Sequence, residues 1–228
     1  MANIRMGDAT AGKVNNRTVR LSRKNIAFGL AAIAALTAAT WYFLAPRVLD
    51  LGDGNNFVQS GLNGQWMEGN VIVIVRHAER CDRSSNPCFG PPNGITVNGQ
   101  QQALAVAKGL QKLGLDNATL ISSPKTRTQQ TADLIAGNTA TSQKWVGKCD
   151  AGFRNAAMAY KKPRENLVLI THSGCIDHFE RTMRVPAGQR SSDYAEAFFI
   201  AADGANAPRI MGSLGFAQWK TVMGESSK

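Results

Sequence analysis

The run Val71-Ile72-Val73-Ile74-Val75 constrains this chain more than any other stretch, because five consecutive branched apolar residues end abruptly in Arg76-His77-Ala78-Glu79-Arg80. Such a run is too short to span a membrane as a helix and has no polar alternation. It predicts a strand buried on both faces, as in a parallel sheet. Ligands of open α/β sheets bind just beyond the carboxyl ends of such strands. His77 therefore stands where a functional group is expected; the plainer alternative is a strand that ends in solvated charge.

Downstream, residues 81–94 carry Pro87, Gly90, Pro91 and Pro92 and predict an irregular loop over the strand's end. Thr96 can cap a helix to about Leu113, with Ala103, Leu104, Ala107 and Leu110 on one face and Gly114 as the stop. A strand is predicted over residues 118–122, followed by a helix that Pro124 opens and that runs to about Ile135. A strand over 144–146 and a helix over 153–160 follow. Leu167-Val168-Leu169-Ile170 is again a buried strand, ending in Thr171-His172. A helix over 176–183 and strands over 197–201 and 209–212 complete the pattern. Strand alternating with helix predicts one α/β domain over residues 70–228, a three-layer α/β/α sandwich with a mainly parallel sheet and an antiparallel edge.

The formal charge of +10 raises a nucleic-acid reading. Ahead of Asn25, however, Arg5, Lys13, Arg17, Arg20, Arg23 and Lys24 stand against Asp8, a net +5, and the rest is spread without a basic run. No nucleic-acid partner is expected; a modest attraction for anionic substrates is. Residues 1–24 read as a basic cytoplasmic tail with no apolar period. Residues 25–46 hold about twenty uncharged, mostly apolar residues, the length of a transmembrane helix, and the basic flank would keep the tail inside and export the rest. A cleaved signal segment and a buried core helix are the alternatives. Residues 47–69, rich in Gly and Asn, read as a linker or juxtamembrane arm with a short helix at its end.

Of three histidines, His77 and His172 both terminate apolar strands. Parallel strands place their carboxyl ends on one edge, so the two imidazoles and Arg76 can converge on one pocket. His178 falls on the following helix and reads as a surface or partly buried histidine. Ser122-Ser123-Pro124-Lys125-Thr126-Arg127 sets Arg127 in the first turn of a helix, where anions are attracted. Two arginines with two histidines point to a phosphate pocket.

Arg76-His77-Ala78-Glu79 resembles the signature of the histidine phosphatase superfamily, the phosphoglycerate mutase-like fold. Further matches follow in order: Ile95-Thr96 with Gly99 and Gln102-Ala103; Ser122-Ser123-Pro124 with Arg127 and Gln130-Thr131-Ala132; and Thr171-His172-Ser173-Gly174. The resemblance covers about residues 70–212. It implies that His77 is the nucleophile that becomes transiently phosphorylated, that Arg76, Arg127 and His172 bind the phosphoryl oxygens, and that neither metal nor cofactor is required. A neutral imidazole attacking phosphorus amid cationic groups is sound chemistry for that role. It also implies a carboxylic general acid between Arg127 and His172, where Asp133, Asp150 and Glu165 lie; Asp150 is the best placed, with Glu79 as its rival.

Cys81, Cys88, Cys149 and Cys175 all lie on the predicted exported side, where disulfides are the natural state. Loop closure favours Cys81 with Cys88, leaving Cys149 with Cys175; a zinc site using Cys81, Cys88 and a histidine is the alternative. Within the superfamily, the run RHAERCDRSSNPC with the later cysteines and the N-terminal apolar segment is similar to the lipopolysaccharide core heptose(II)-phosphate phosphatases of Gram-negative bacteria. That implies a periplasmic phosphomonoesterase, held at the inner membrane by its N-terminal segment or released if that segment is cleaved, acting on a phosphorylated sugar or the lipopolysaccharide core. Around Asp150 the chain departs from those enzymes, which carry a glutamate a few residues after the cysteine. The expectation of another class is a catalytically silent relative that binds a phosphorylated envelope component or a protein partner.

Overall fold

The computed structural model describes residues 22–44, 46–190 and 192–224, so nearly all of the expected basic tail lies outside the described residues. Packing divides the chain into two units, Met1–Leu44 and Ala45–Lys228. The described part of the first is one helix, α1 (Arg23–Leu44). Among the described residues no helix is long and apolar enough to cross a membrane. The described residues therefore do not show the transmembrane helix expected over residues 25–46, part of which lies outside them. A helix forms there with Ile26, Phe28, Leu30, Ile33 and Leu36 exposed along it, and the side chains of residues 41–44 lie outside those described.

The second unit contains a six-stranded sheet in the order β3-β2-β4-β1-β5-β6. Its strands are β1 (Val71–Arg76), β2 (Ala118–Ser122), β3 (Thr141–Ser142), β4 (Asn166–Thr171), β5 (Ala197–Ala201) and β6 (Arg209–Leu214). β1, β2, β3 and β4 are mutually parallel, while β5 and β6 form the antiparallel edge. The helices are α2 (Asn56–Gln59), α3 (Leu62–Met67), α4 (Val97–Leu113), α5 (Thr126–Ala136), α6 (Phe153–Tyr160), α7 (Ser173–Thr182) and α8 (Trp219–Val222).

The side-chain period of a strand splits β1 between two cores. Val71, Val73 and Val75 join Val106, Leu110, Phe199 and Trp219 on the face covered by α4, α5 and α8. Ile72 and Ile74 join Phe153, Phe179 and Phe198 on the face covered by α6 and α7. All five are fully buried, and at roughly 1.5–3 kcal/mol for each such side chain this is the axis of the domain. The expected three-layer architecture is therefore present.

Local chemistry explains the helix that follows the first loop. The Thr96 hydroxyl caps α4 by accepting from the Gly99 N–H at 2.9 Å, a contact of about 1 kcal/mol, and Gly114 ends the helix at φ 96°. Gly99 has a second use, because a Cβ there would lie 2.6 Å from the Glu79 carbonyl oxygen. Only glycine lets α4 begin against the loop that leaves β1.

Three expectations are corrected. Residues 47–69 are not a linker: Leu51, Phe57, Leu62 and Trp66 are buried in the core, and the Trp66 indole donates to the Gly114 carbonyl at 2.8 Å. In place of a strand over 144–146, a 3-10 turn spans Lys144–Gly147 and the strand is the two-residue β3 before it. Helix α7 starts at Ser173 rather than at 176, directly after His172, which serves as its N-cap residue.

Candidate active site

β1 and β4 pair in the register Arg76↔Thr171, so the next residue of each, His77 and His172, leaves the sheet at one edge. The His77 N–H donates to the Thr171 carbonyl at 2.9 Å. The two imidazoles meet edge to face, their centroids 5.5 Å apart. β2 lies on the other side of β4, and its end carries the chain through Ser123 into α5, whose first turn holds Arg127. Arg127 bridges the pair: Nε reaches His77 Nε2 at 3.1 Å, and Nη2 reaches His172 Nδ1 at 3.4 Å. His77, His172 and Arg127 are thus brought together, with Arg76 close enough to act electrostatically on His77.

The hydrogen bonds define the state of His77. Its Nδ1 lies 2.9 Å from the Ala78 carbonyl, which can only accept, so Nδ1 carries the proton and Nε2 presents a lone pair toward Arg127. Burial is the main reason that its pKa falls from 6.5 to about 3; the Ala78 carbonyl opposes the shift, and Arg127, His172 and Arg76 add to it. His172 is lowered to about 4, by burial first and then by Arg127, Lys125 and Arg80. Both rings are neutral near pH 7, and the positive charge of the site resides on its arginines.

Residues of the matched motifs act as fasteners. The Thr131 hydroxyl accepts from the Ala78 N–H at 3.0 Å and donates to the Arg127 carbonyl at 2.7 Å, tying the nucleophile's loop to the helix that carries the arginine. The Gln102 side chain accepts from the Glu79 N–H, and that of Gln130 from the Ile95 N–H. Buried Ser123, to which the sequence reading assigned no role of its own, places its hydroxyl 3.0 Å from His172 Nε2 and 2.7 Å from the Thr128 hydroxyl.

The candidate acids fare differently. Glu79 accepts from Ser84, Asn86, Thr96 and Asn98. Its partial burial would raise its pKa, but those four donors outweigh it and hold the carboxyl at about 2. Glu79 is held by these donors as an ionised strut of the 81–94 loop. Asp150 is exposed and its Oδ1 accepts from the Gly152 N–H. The disulfide Cys149–Cys175 ties its loop to the first turns of α7, yet the structure does not join Asp150 to either histidine. Asp133 caps a loop by accepting from the Ala140 N–H, and Glu165 is bound by Thr119 and Lys162. His178 lies on α7, partly buried and outside the pocket.

The second disulfide joins Cys81 and Cys88, so both pairs form as loop closure favours and these sulfurs are not zinc thiolates. Among the described residues no group of three His, Cys, Asp or Glu side chains could hold a metal. On the disulfide-closed loop, Arg80 grips Asp82 through Nε and Nη2 at 2.6 and 2.5 Å, and both are close enough to act electrostatically on Arg127. Arg76 donates Nη1 to the Ser192 carbonyl at 2.5 Å and keeps a buried Nε without a partner. An unpaired buried guanidinium N–H is costly unless something accepts from it, which suits an incoming oxyanion.

A buried neutral imidazole whose Nε2 lone pair accepts from a guanidinium, at the carboxyl edge of a parallel sheet, suits a site for phosphoryl groups. The comparisons agree with that class. The profile of the histidine phosphatase superfamily (branch 1) matches residues 72–146. A lipopolysaccharide core heptose(II)-phosphate phosphatase of Salmonella arizonae is 33% identical over 177 residues, 74% of this chain and 86% of that protein. One of the same name from Salmonella typhi is 35% identical over 136 residues, 58% of this chain and 66% of its own length, just under two thirds. Among solved structures, the protein histidine phosphatase SixA complexed with tungstate superposes with a TM-score of 0.52 at 15% identity, covering 64% of this chain and 97% of that one. A phosphoserine phosphatase variant from Entamoeba histolytica gives 0.50 at 14% identity, covering 65% and 98%. The chain belongs to the histidine phosphatase superfamily.

Proposed function

We propose that the protein is a phosphomonoesterase that works through a phosphohistidine on His77. The observation that carries this reading is the His77 ring itself, held by the Ala78 carbonyl at Nδ1 so that unprotonated Nε2 faces the guanidinium of Arg127. Nε2 attacks phosphorus in line as the P–O bond to the leaving group breaks, the departing alkoxide takes a proton from water, and the phosphoryl group rests on His77. Arg76 and Arg127 hold the equatorial oxygens, where charge accumulates. An arriving dianion favours the protonated form of His172, which then donates as well. Water attacks the phosphohistidine in the second step, releasing inorganic phosphate and restoring Nε2.

The substrate proposed is a phosphorylated sugar of the lipopolysaccharide core. It is supported by the relatives that are lipopolysaccharide core heptose(II)-phosphate phosphatases by name, of which the Salmonella arizonae protein is matched over 86% of its length. A periplasmic location is proposed with it, supported by two disulfides, which persist in oxidising compartments, and by the basic-flanked apolar segment ahead of the domain. The outward pose of Asp150 favours a second reading, a silent relative that binds phosphorylated envelope components without turning them over. Incubating the purified protein with an aryl phosphate and with heptose-phosphate core fragments separates the two. Release of phosphate, with acid-labile and base-stable label on His77 after a rapid quench, is the expected result; binding without release would leave the silent reading.

A further inference from the structure

A short strap wraps the dipeptide at the end of β1. The Arg76 N–H donates to the Glu196 carbonyl at 3.0 Å, and the Ala195 N–H donates to the His77 carbonyl at 3.4 Å. The Arg76 side chain donates to the Ser192 carbonyl at 2.5 Å. Between these contacts stands Tyr194, whose ring lies 4.0 Å below the Arg76 guanidinium carbon and 5.7 Å from the centre of the His77 ring. Ala195, next to it, is fully buried at φ 55°, a conformation that residues with a Cβ rarely adopt. Such a conformation persists only where its surroundings over-determine it, and here it turns the tyrosine back over the arginine.

We infer that Tyr194 is a positioning residue: its aromatic face holds the Arg76 guanidinium in the pose that grips the phosphoryl group. Arg76 needs such a device, because among the described residues no carboxylate pairs with it. One edge of its fork is pinned by Ser192, and Nε is buried and free. A carboxylate there would fix the guanidinium but would also compete with the phosphate for its donors. The negative face of an aromatic ring fixes the cation without occupying an N–H. This inference rests on the phosphoryl site proposed above and adds to it a residue outside every matched motif.

The test measures binding of inorganic phosphate to the full-length protein by calorimetry, alongside kcat and KM for an aryl phosphate. Tyr194→Phe keeps the ring and is expected to stay within about threefold of wild type in both, whereas Tyr194→Leu is expected to weaken phosphate binding by roughly tenfold at an unchanged melting temperature. Tyr194→Met, a second side chain without a ring, repeats the measurement where the leucine variant folds poorly. In an Arg76→Gln background the Leu or Met substitution should cost nothing further, since the effect runs through Arg76. Wild-type phosphate affinity in both the Leu and Met variants overturns the inference, and so does a Phe variant as weak as the Leu one. A wild-type protein that binds phosphate but does not hydrolyse esters defeats the phosphatase reading while leaving the role of Tyr194 measurable.

Discussion

His172 stands opposite His77 because Arg76 pairs with Thr171 across two parallel strands, and a shift of one residue in that register would turn one imidazole into the core. Arg127 then spans both rings from a third element. The geometry converts directly into experiments.

Replacing His77 by Ala should abolish hydrolysis of any phosphomonoester, since the proposed phosphohistidine forms on its Nε2. Arg127→Ala should cost roughly 10²–10³-fold in kcat, the loss expected when a donor to transition-state charge is removed. Steady-state kinetics in excess chelator measures both. Full activity of the His77 variant, or activity that EDTA removes and zinc restores, would refute the mechanism.

The acid limb of kcat/KM should lie below pH 5. An ordinary histidine titrates near 6.5, but burial brings His77 to about 3 and His172 to about 4, so neither protonates as the pH falls through 6.5. The profile should be recorded with an aryl phosphate and corrected for ionisation of the ester itself, whose second pKa is about 6. A limb centred at 6.5 after that correction would show that the nucleophile is solvated.

Asp150→Asn should change turnover by less than about threefold for aryl and sugar phosphates alike, because Asp150 is exposed and occupied by the Gly152 N–H. Comparing the two substrates is the test. A loss confined to the sugar phosphate, whose alkoxide needs a proton to depart, would reinstate Asp150 as the acid.

Glu180 is buried on α7 with one oxygen unpartnered. Burial, then Glu196 and Asp177, raise its pKa from 4.5 to about 8, with Arg190 opposing. Between those values the folded chain binds more protons than the unfolded one, so this contribution is complete below pH 4.5 and is lost as the pH rises through 8. Glu180→Gln, which mimics the protonated acid, should therefore raise the melting temperature at pH 9 relative to wild type by at least about 2–4 °C more than it does at pH 5. Equal shifts at both pH values would place the carboxylate in contact with solvent.

Reduction should destabilise the domain, and Cys149–Cys175, with a separation of 26 residues, should matter more than Cys81–Cys88, with a separation of 7. Constraint of the unfolded chain grows with the loop closed, and removing the longer link should cost about 2–4 kcal/mol. Urea melts of the two Cys→Ser double variants compare them. Four free thiols in the unreduced protein would remove the basis for both this prediction and the periplasmic location.

By itself the sequence determined what depends on neighbours along the chain. The apolar runs before Arg76-His77 and Thr171-His172, the Thr96 cap and the alternation of strand with helix specified a parallel-dominated α/β sheet with two histidines at its carboxyl edge. Arg127 was legible because a helix start after a strand is a local signal, and the cysteine loop because Cys81 and Cys88 have a sequence separation of only 7. What only the tertiary structure decided depends on contacts between residues far apart in sequence. Leu51, Phe57, Leu62 and Trp66 follow no single helical or strand period amid Gly and Asn, so their burial could not be read as a pattern. Glu79 sits beside the nucleophile in sequence, yet Ser84 and Asn86 of the following loop and Thr96 and Asn98 at the start of α4 fold back to donate to it and make it a strut of that loop. Tyr194 carries no motif at all. It reaches Arg76 across a sequence separation of more than a hundred residues only because β5 pairs antiparallel with β1, which returns the chain to the same edge of the sheet.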